Sequence, residues 1–232
     1  MRPNERPEIA SLPLFAEMND GQRERVFAAS LVQAFPPQLT LFDVGQQPDF
    51  LYVLIDGLVE LYTTNADRDS TLAIVEPVST FILAALITDQ PFLMAARTLE
   101  SSRIMLIPSG VLRDVIKQDG ALMRQTMHEL AVGYRNMVRA LTDMKMRQST
   151  ERLGNFILLE SQKRDGEKNL RLRGEKKLLA SLLGMTPENL SRAFSALSKH
   201  GVSVDGSNIE ITDHAALVQF ARPDPFLDMF ES

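Results

Sequence analysis

The sequence predicts an α+β chain, in which a small antiparallel β-roll is followed by one long helix and then by a pair of short helices with a β-hairpin. Three observations predict this order. Short β-rich runs fill residues 38–108, a seven-residue apolar repeat extends over Ala121–Met146, and a sharply capped pair of helical segments occupies Lys176–Val202. The expected boundaries are a β-roll unit over 1–120, the long helix over 121–146, and a C-terminal helical unit over 147–232.

The roll is predicted from short segments rich in β-branched, aromatic and aliphatic residues. The predicted strands are Leu39, Leu41, Phe50–Ile55, Leu58–Tyr62, Leu72–Val75 and Ile104–Ile107. Turns are expected at Gly45, Asp56–Gly57 and Asn65–Asp67. A short helix capped by Asn19 should precede the roll, and one capped by Ser109 should follow it. Many short strands joined by tight turns are typical of a small antiparallel roll or barrel.

The long helix carries apolar residues spaced alternately by four and three over about three heptads. These seam residues are Met123, Met127, Leu130, Tyr134, Met137, Leu141 and Met144. At about 1.5 Å per residue the helix would be about 39 Å long. A strict seam of this kind fits a two-helix interface better than the broader apolar stripe of a core helix. We therefore expect a homodimer, with a long core helix that has no partner chain as the alternative.

Composition excludes several kinds of chemistry. The chain has no cysteine, which excludes disulfides, cysteine-ligated metals and a thiol nucleophile. Its longest apolar run, Phe81–Ile87, is too short to cross a bilayer, and no signal-peptide core follows Met1. A cytoplasmic protein with no membrane partner is therefore expected. No coherent catalytic set or phosphate-cradling loop occurs, so neither an enzyme nor a metal site is expected.

The segment Lys176–Val202 has the signals of two helices joined by a tight turn. Gly184 can take the left-handed C′ position of the first helix, and Thr186 can cap the second with Pro187 at N1. The exposed polar residues of the second helix would be Glu188, Asn189, Ser191 and Arg192. With a hairpin over 202–211 as a wing, this is a helix-turn-helix. Its second helix would enter the major groove, where Arg reads guanine and Glu accepts from cytosine.

The charge distribution favours the same interpretation. Residues 147–200 carry 11 Lys/Arg and 6 Asp/Glu, a local charge of +5 within a chain of net charge −5. Such a basic block is typical of a segment that contacts DNA phosphates, and Lys176 and Lys177 are the expected anchors. The alternative is a dimeric ligand-binding or scaffold module whose helix-turn-helix contacts protein.

This order of roll, long helix and winged helix-turn-helix resembles the Crp/Fnr superfamily of bacterial transcription regulators, over about residues 12–215. The string TPENLSR, Thr186–Arg192, is similar to the E-x-x-S-R recognition pattern of the Fnr-like branch. That resemblance implies that Glu188, Ser191 and Arg192 read a TTGAT-like half-site in palindromic double-stranded DNA. It also implies RNA polymerase as a partner.

The roll segment Leu41–Tyr62 is similar to the cyclic-nucleotide-binding-like roll of that superfamily, with Gly45 and Gly57 at its turn glycines. The motif that holds the cyclic nucleotide phosphate in family members does not match. Ile82 and Leu83 stand at its Gly-Glu pair, and Phe92 stands at its arginine position, while Arg97 fits a structural arginine of the next strand. A buried phosphate needs donors and a counter-charge, so cyclic AMP is not expected as the effector.

An apolar effector pocket is expected instead. Its lining residues would be Phe81, Ile82, Leu83, Phe92, Leu93, Met137 and Val138. Three states stay open: an apolar small molecule, a haem as in the nitric-oxide- and carbon-monoxide-sensing relatives, or a filled core without a ligand. A haem needs an axial ligand, and His128 on the long helix is the candidate, with Met137, Tyr134 or the terminal amine as substitutes.

The acidic C-terminal tail, Arg222–Ser232, has no clear pattern. It contains Pro223, Pro225, Phe226, Met229 and Phe230. Disorder is the expectation for a short terminus of this kind, and docking on a groove of the protein is the alternative.

Overall fold

The computed structural model describes residues 5–65 and 68–228. The chain forms two compact units, Met1–Gly133 and Tyr134–Ser232, and the division between them falls inside the longest helix. The predicted turn at Asn65–Asp67 lies mostly outside the described residues, as does the end of the tail with Met229 and Phe230.

The described part of the first unit consists of short helices around an antiparallel roll. Its helices are α1 (Glu5–Ala10), α2 (Pro13–Ala16), α3 (Asp20–Ala29), α4 (Leu83–Thr88) and α5 (Ser109–Gln118). Its strands are β1 (Leu31–Phe35), β2 (Thr40–Phe42), β3 (Phe50–Asp56), β4 (Val59–Asn65), β5 (Arg68–Val75), β6 (Ser79–Phe81), β7 (Ala95–Thr98) and β8 (Ser102–Pro108). The long helix α6 (Gly120–Met146) begins here and continues into the second unit.

The strands form two antiparallel four-stranded sheets, with the orders β1-β8-β3-β6 and β2-β7-β4-β5. The predicted turn at Asp56–Gly57 joins β3 of one sheet to β4 of the other. Gly57 has a φ of +102°, and a Cβ at this position would lie 2.3 Å from Ser102 Oγ. Only glycine fits there, because a side chain would both strain the backbone and collide with the facing strand. The predicted antiparallel roll is confirmed.

Strand β3 is buried on both faces, so it contributes to two cores. Successive side chains of a strand point to opposite faces. Leu51, Val53 and Ile55 pack into the core beneath the helices, together with residues of α3, α4 and α5. Tyr52 and Leu54 point into the roll interior, which they share with aromatic and aliphatic residues of both sheets. The near-continuous apolar run of β3 is the sequence signature of this double burial.

Several elements of the first unit differ from the prediction. Strands β1, β6 and β7 are absent from it, and each is short. β1 lies at a sheet edge with Leu31 58% exposed, so its sequence lacks the alternation of a half-buried strand. The prediction that Ser109 caps α5 is also wrong. Pro108 occupies the N-cap position, and the Ser109 hydroxyl donates to the carbonyl of Pro48.

Asp119 precedes the long helix and holds its first turn. Its Oδ1 accepts from the backbone N–H groups of Ala121 and Leu122 at 2.9 and 3.0 Å. Its Oδ2 accepts at 3.0 Å from the N–H of Asn19, which caps α3 as predicted. The hydrogen bond from Leu122 is the largest cause that lowers the pKa of Asp119, with help from Asn19, Ala121 and the charge of Arg124, against the opposing effect of burial. One carboxylate therefore ties the start of α6 to the start of α3.

Asp119→Ala should lower the free energy of unfolding of the first unit by about 1–2 kcal/mol, because it removes a helix N-cap. Asp119→Asn should cost less, since the amide oxygen still accepts. The folded pKa is lowered, so the stabilisation by the charge is present above the unfolded pKa of about 3.9 and is lost as the pH falls through the folded pKa. Urea unfolding at pH 7 and pH 3 measures both effects. An equal loss in the exposed control Glu8→Ala would contradict this role.

The described part of the second unit begins in the last turns of α6. Its further helices are α7 (Ser149–Gln162), α8 (Lys176–Leu182), α9 (Pro187–Leu197) and α10 (His214–Ala221). Its strands are β9 (Asn169–Arg171), β10 (Val202–Asp205) and β11 (Asn208–Ile211), antiparallel in the order β10-β11-β9. Leu153 and Ile157 of α7, Leu190 and Leu197 of α9, and Leu217 of α10 are buried together in one core.

The predicted order of roll, long helix and winged helix-turn-helix is therefore confirmed, with β9 as an additional strand beside the wing. Within residues 5–65 and 68–228, every helix is too short or too polar to cross a membrane.

Candidate nucleic-acid interface

The turn between α8 and α9 has the geometry that the sequence predicted. Gly184 has a φ of +63°, and its N–H donates to the carbonyl of Ser181 at 3.0 Å. The N–H of Met185 donates to the carbonyl of Ala180 at 2.9 Å, which completes a Schellman C-cap. Thr186 Oγ1 then accepts from the N–H of Asn189 at 3.2 Å and caps α9. Two consecutive caps fix the angle at which α9 leaves the turn.

Helix α9 separates a buried face from an exposed polar face. Leu190, Ala193, Phe194 and Leu197 are buried. The predicted recognition residues Glu188, Asn189, Ser191 and Arg192 are exposed, as are Lys176 and Lys177 on α8, and Thr186 is half-buried. The ammonium group of Lys176 lies 5.5 Å from the centre of the Phe194 ring, at the edge of a groove that Ser191 and Val204 also line. The structure thus leaves the predicted residues of α8 and α9 accessible, and it places Lys176 and Ser191 on the same groove.

Glu188 lies in the first turn of α9. Hydrogen bonding from its own backbone N–H is the largest cause that lowers its pKa, followed by the Thr186 hydroxyl, with a smaller contribution from the charge of Arg192. The carboxylate is therefore ionised at neutral pH and accepts hydrogen bonds only.

The wing differs in charge from the helices beside it. The hairpin β10–β11 turns at Gly206, whose φ is +57°, and it carries Asp205 and Glu210 but no Lys or Arg between Val202 and Ile211. The neighbouring strand β9 supplies a cation, because Arg171 is exposed and pairs in register with Asn208. The sequence does not predict this strand, because it is three residues long and contains no β-branched or aromatic residue.

The end of the long helix contacts the helix-turn-helix within the second unit. Arg152 Nε donates to the carbonyl of Leu183 at 3.0 Å, and Arg152 Nη1 donates to the carbonyl of Arg147 at 2.7 Å. The Met144 side chain covers Gly184, where an added Cβ would lie 2.8 Å from Met144 Cε. The turn that positions α9 is therefore held against the segment that joins α6 to α7.

Gly184→Ala should destabilise the second unit by about 1 kcal/mol, because alanine is strained at positive φ and its Cβ crowds the movable end of Met144. Gly184→Asn should cost less, since asparagine tolerates the left-handed conformation better. Thermal unfolding measured by circular dichroism checks the order. Gly166→Ala is a control for positive φ alone, because no atom lies within 4 Å of its added Cβ. If all three variants were equally stable, contact with Met144 would be irrelevant.

The predicted effector pocket is only partly assembled in the first unit. Phe81 and Phe92 are buried in the roll interior, with Ile82 packed at its edge. Leu83 belongs instead to the core beneath the helices, and Leu93 is 84% exposed. These two assignments are wrong, because apolar character alone does not show to which side a residue points.

Aromatic rings occupy the interior of the roll. The ring centre of Phe42 lies 4.1 Å from that of Phe92, 5.2 Å from that of Tyr52 and 6.5 Å from that of Phe81. The rings of Tyr52 and Phe81 are 5.3 Å apart. Such distances are those of packed aromatic clusters. This arrangement matches the filled core that the sequence left open.

The remaining pocket candidates lie on the long helix. Met137 and Val138 are 66% and 44% exposed in the second unit. Their share in an effector site stays a prediction.

A buried ionic network crosses the second sheet of the roll. The side chain of Glu60 is only 2% exposed, and its Oε2 accepts from Arg97 Nε at 2.7 Å, while its Oε1 accepts from the Thr71 hydroxyl at 2.6 Å. Arg97 Nη1 also donates to Asp69 at 2.7 Å, and its guanidinium lies 4.2 Å from the centre of the Tyr62 ring. Burial opposes the charge on Arg97, but the bonds to Glu60 and Asp69 outweigh it and raise its pKa. Arg97 is thus a structural arginine of β7.

The residues of the roll do not fit a haem. The chain has three histidines. His128 is exposed on α6, His200 stacks on Phe220 at 4.2 Å, and His214 begins α10. Burial, with a smaller effect of Asp49, raises the pKa of Tyr52 to about 12, so its phenol stays protonated and is a poor axial ligand. Among the residues that the structure describes, no group of three or more His, Cys, Asp or Glu side chains could hold a metal ion.

Comparison with known proteins matches both parts of the chain. The cyclic nucleotide-binding domain family matches residues 32–119, and the Crp-like helix-turn-helix domain family matches residues 151–220. The anaerobic regulatory protein of Pasteurella multocida is 25% identical over 186 residues, 78% of this chain and 68% of that protein. The CRP-like cAMP-activated global transcriptional regulator of Mycobacterium tuberculosis is 25% identical over 194 residues, 81% of this chain and 87% of that protein.

The fold has solved counterparts as well. The structure of FixK2 from Bradyrhizobium japonicum aligns with a TM-score of 0.72 at 18% identity, over 88% of this chain and 99% of that one. The fold, the capped recognition helix and the matched domains define a transcription regulator with a helix-turn-helix DNA-binding domain, not an enzyme. The chain belongs to the Crp/Fnr superfamily.

Proposed function

We propose that the protein is a homodimeric regulator that binds a palindromic TTGAT-like DNA site through α9. The observation that carries this proposal is the exposed set Glu188, Ser191 and Arg192 on the first two turns of that helix, which Thr186 caps. In this proposal residues 1–120 sense an effector, 121–146 form the dimer helix, and 147–232 bind DNA.

The side chains of α9 suit base readout. The fork of Arg192 can donate to O6 and N7 of guanine, and the ionised carboxylate of Glu188 can accept from N4 of cytosine. Thr186 and the exposed Lys176 and Lys177 lie beside this face and suit phosphate contacts, which position the helix without reading sequence.

Arg192→Ala should weaken binding to a TTGAT palindrome by about tenfold or more and abolish discrimination against TTAAT, because the guanine contact is lost. Glu188→Ala should likewise relax preference at the base pair it reads. Fluorescence anisotropy with both duplexes measures the affinities. Lys199→Ala, in the short 3-10 turn that follows α9, removes a charge without removing a reading group and should leave discrimination intact. Unchanged discrimination in Arg192→Ala would refute the readout assignment.

Lys176→Ala and Lys177→Ala should each weaken binding to all sequences alike. Each should also reduce the slope of log affinity against log salt by about one, because one phosphate contact releases about one counterion. Titrations between low and moderate salt check this. A sequence-dependent loss would mean that the lysines read bases.

The homodimer is supported by an apolar stripe that one chain leaves uncovered. The exposed seam residues of α6 are Met123 (42%), Met127 (66%), Tyr134 (71%), Met137 (66%), Leu141 (54%) and Met144 (54%). Leu130 is different, because it is partly buried against the core of the first unit. A charge at Leu130 would therefore damage that core as well as a dimer.

Leu141→Asp should convert the dimer into monomers, since it places a charge in the seam at a position that is exposed in the single chain. Affinity for the palindrome should fall with it, while each unit stays folded. Sedimentation equilibrium measures the mass, with His128→Asp, an exposed position on the opposite side of the helix, as the matched control. A dimeric Leu141→Asp protein would contradict the seam.

The effector in this proposal is a molecule other than a cyclic nucleotide, and an apolar small molecule would enter the roll only by displacing its packed aromatic rings. Two observations oppose a cyclic nucleotide: aromatic rings occupy the roll interior, and Arg97 already pairs with Glu60 and Asp69. A phosphate would have to displace these carboxylates from the guanidinium. The two relatives named above, one an anaerobic regulator and one cAMP-activated, have the same identity to this chain, so they do not select an effector.

Isothermal calorimetry with cyclic AMP should detect no binding. Binding in the micromolar range would overturn the exclusion of a cyclic nucleotide.

We propose RNA polymerase as a further partner and the cytoplasm as the location, because a regulator of this class acts on chromosomal DNA. The family resemblance supports both.

A further inference from the structure

The C-terminal segment docks on the end of the long helix. Residues 222–228 follow α10, lie beyond the matched helix-turn-helix domain, and are described in the structure as part of the second unit. The sequence predicted disorder for this tail, with docking as the alternative. For residues 222–228 the expectation of disorder is wrong and the segment is docked.

Two arginines near the end of α6 hold this segment. Arg147 Nη1 and Nη2 donate to the two carboxylate oxygens of Asp228 at 2.8 and 2.6 Å, a bidentate ion pair. Arg147 Nη1 also bonds Asp143 at 2.8 Å, and its side chain is only 10% exposed. Arg139 Nε donates to the carbonyl of Phe226 at 3.1 Å.

The segment is folded locally so that its carboxylate can reach Arg147. Asp224 Oδ1 accepts from the N–H groups of Phe226 and Leu227 at 2.7 and 3.2 Å. The N–H of Asp224 donates to Asp228 at 2.6 Å. Asp228 thus accepts from both Arg147 and its own turn, which gives the segment one defined conformation.

Arg147 lies in the joint that connects α6 to α7. Its carbonyl accepts from Arg152, which also donates to the carbonyl of Leu183, next to the turn before α9. Asp228 is therefore linked to the helix-turn-helix through Arg147, whose side chain bonds Asp228 and whose carbonyl bonds Arg152. Removal of Asp228 would leave a nearly buried guanidinium with Asp143 as its one carboxylate partner among the described residues.

We propose that residues 222–228, the C-terminal strap, fix the joint between the long helix and the helix-turn-helix, and so set the placement of the recognition helix for palindromic DNA. The inference rests on the proposed function. Binding of two half-sites by a dimer gains affinity only when both recognition helices fit the spacing, whereas a single half-site needs no fixed joint.

The test compares wild type with Asp228→Asn, with Arg147→Lys, and with a chain that ends at Arg222. Asp165→Asn, the same chemical change at an exposed turn of this unit, is the matched control. Affinity is measured by fluorescence anisotropy for a duplex with the TTGAT palindrome and for one with a single half-site. The three strap variants should weaken palindrome binding by about tenfold and half-site binding by less than about twofold. Unchanged palindrome binding, or an equal loss on both duplexes, would overturn the inference.

A second measurement does not depend on DNA. Since the chain has no cysteine and Phe226 is 81% exposed, Phe226→Cys gives one site for a nitroxide label on the strap. The label should be restricted in the otherwise wild-type protein and mobile after Asp228→Asn. Equal mobility of the label with and without Asp228→Asn would show that Asp228 does not hold the strap, whatever the DNA-binding results. If wild type failed to prefer the palindrome over scrambled DNA while the label still responded, the proposed function would fail and the strap would stand.

Discussion

The structure depends on one helix that must satisfy two different surroundings. In its first turns α6 buries Leu122 and Thr126 in the first unit, with Leu130 half-buried there. Beyond Gly133 its apolar residues are exposed among the residues that the structure describes. Large exposed apolar patches mark interaction sites. In the proposed dimer the heptad seam faces the partner helix, while Leu122 and Thr126, which are buried in the first unit, lie beside the seam.

Local signals explain which parts were predictable from sequence. The turn before α9 was predictable because Gly184 and Thr186 carry its geometry in their own backbone and side-chain chemistry. Strand β3 was predictable from its apolar run. Strand β1 and the cap of α5 were not, because each is defined by distant residues: β1 by its pairing with β8, and Ser109 by the carbonyl of Pro48, 61 positions away. The exposed polar residues in the first turns of α9 were predictable because the spacing of its apolar residues shows which face is buried.

The effector pocket shows what a pattern of apolar residues cannot predict: whether those residues line a cavity or fill it. Phe81 and Phe92 are apolar whether they line a cavity or fill it, and only their distances to Phe42 distinguish the two. The Glu60–Arg97 pair was detectable in principle. A carboxylate between Val59 and Leu61 in a buried strand needs a counter-charge, and the register places Arg97 directly opposite. The sequence shows that Glu60 needs a cationic partner, but it does not show that this partner is Arg97. That choice depends on how β4 pairs with its neighbouring strands β5 and β7.

The charges around α9 constrain how this unit can approach DNA. Lys176, Lys177 and Arg171 lie on α8 and β9, whereas the wing tip carries Asp205. A carboxylate against the phosphate backbone is repelled, and no cation of the hairpin offsets it. In the proposed complex the helices and the β9 edge must therefore supply phosphate contacts that a basic wing would otherwise provide. The joint behind α9 then has more control over its angle in the groove, since the acidic wing tip cannot clamp the DNA on that side.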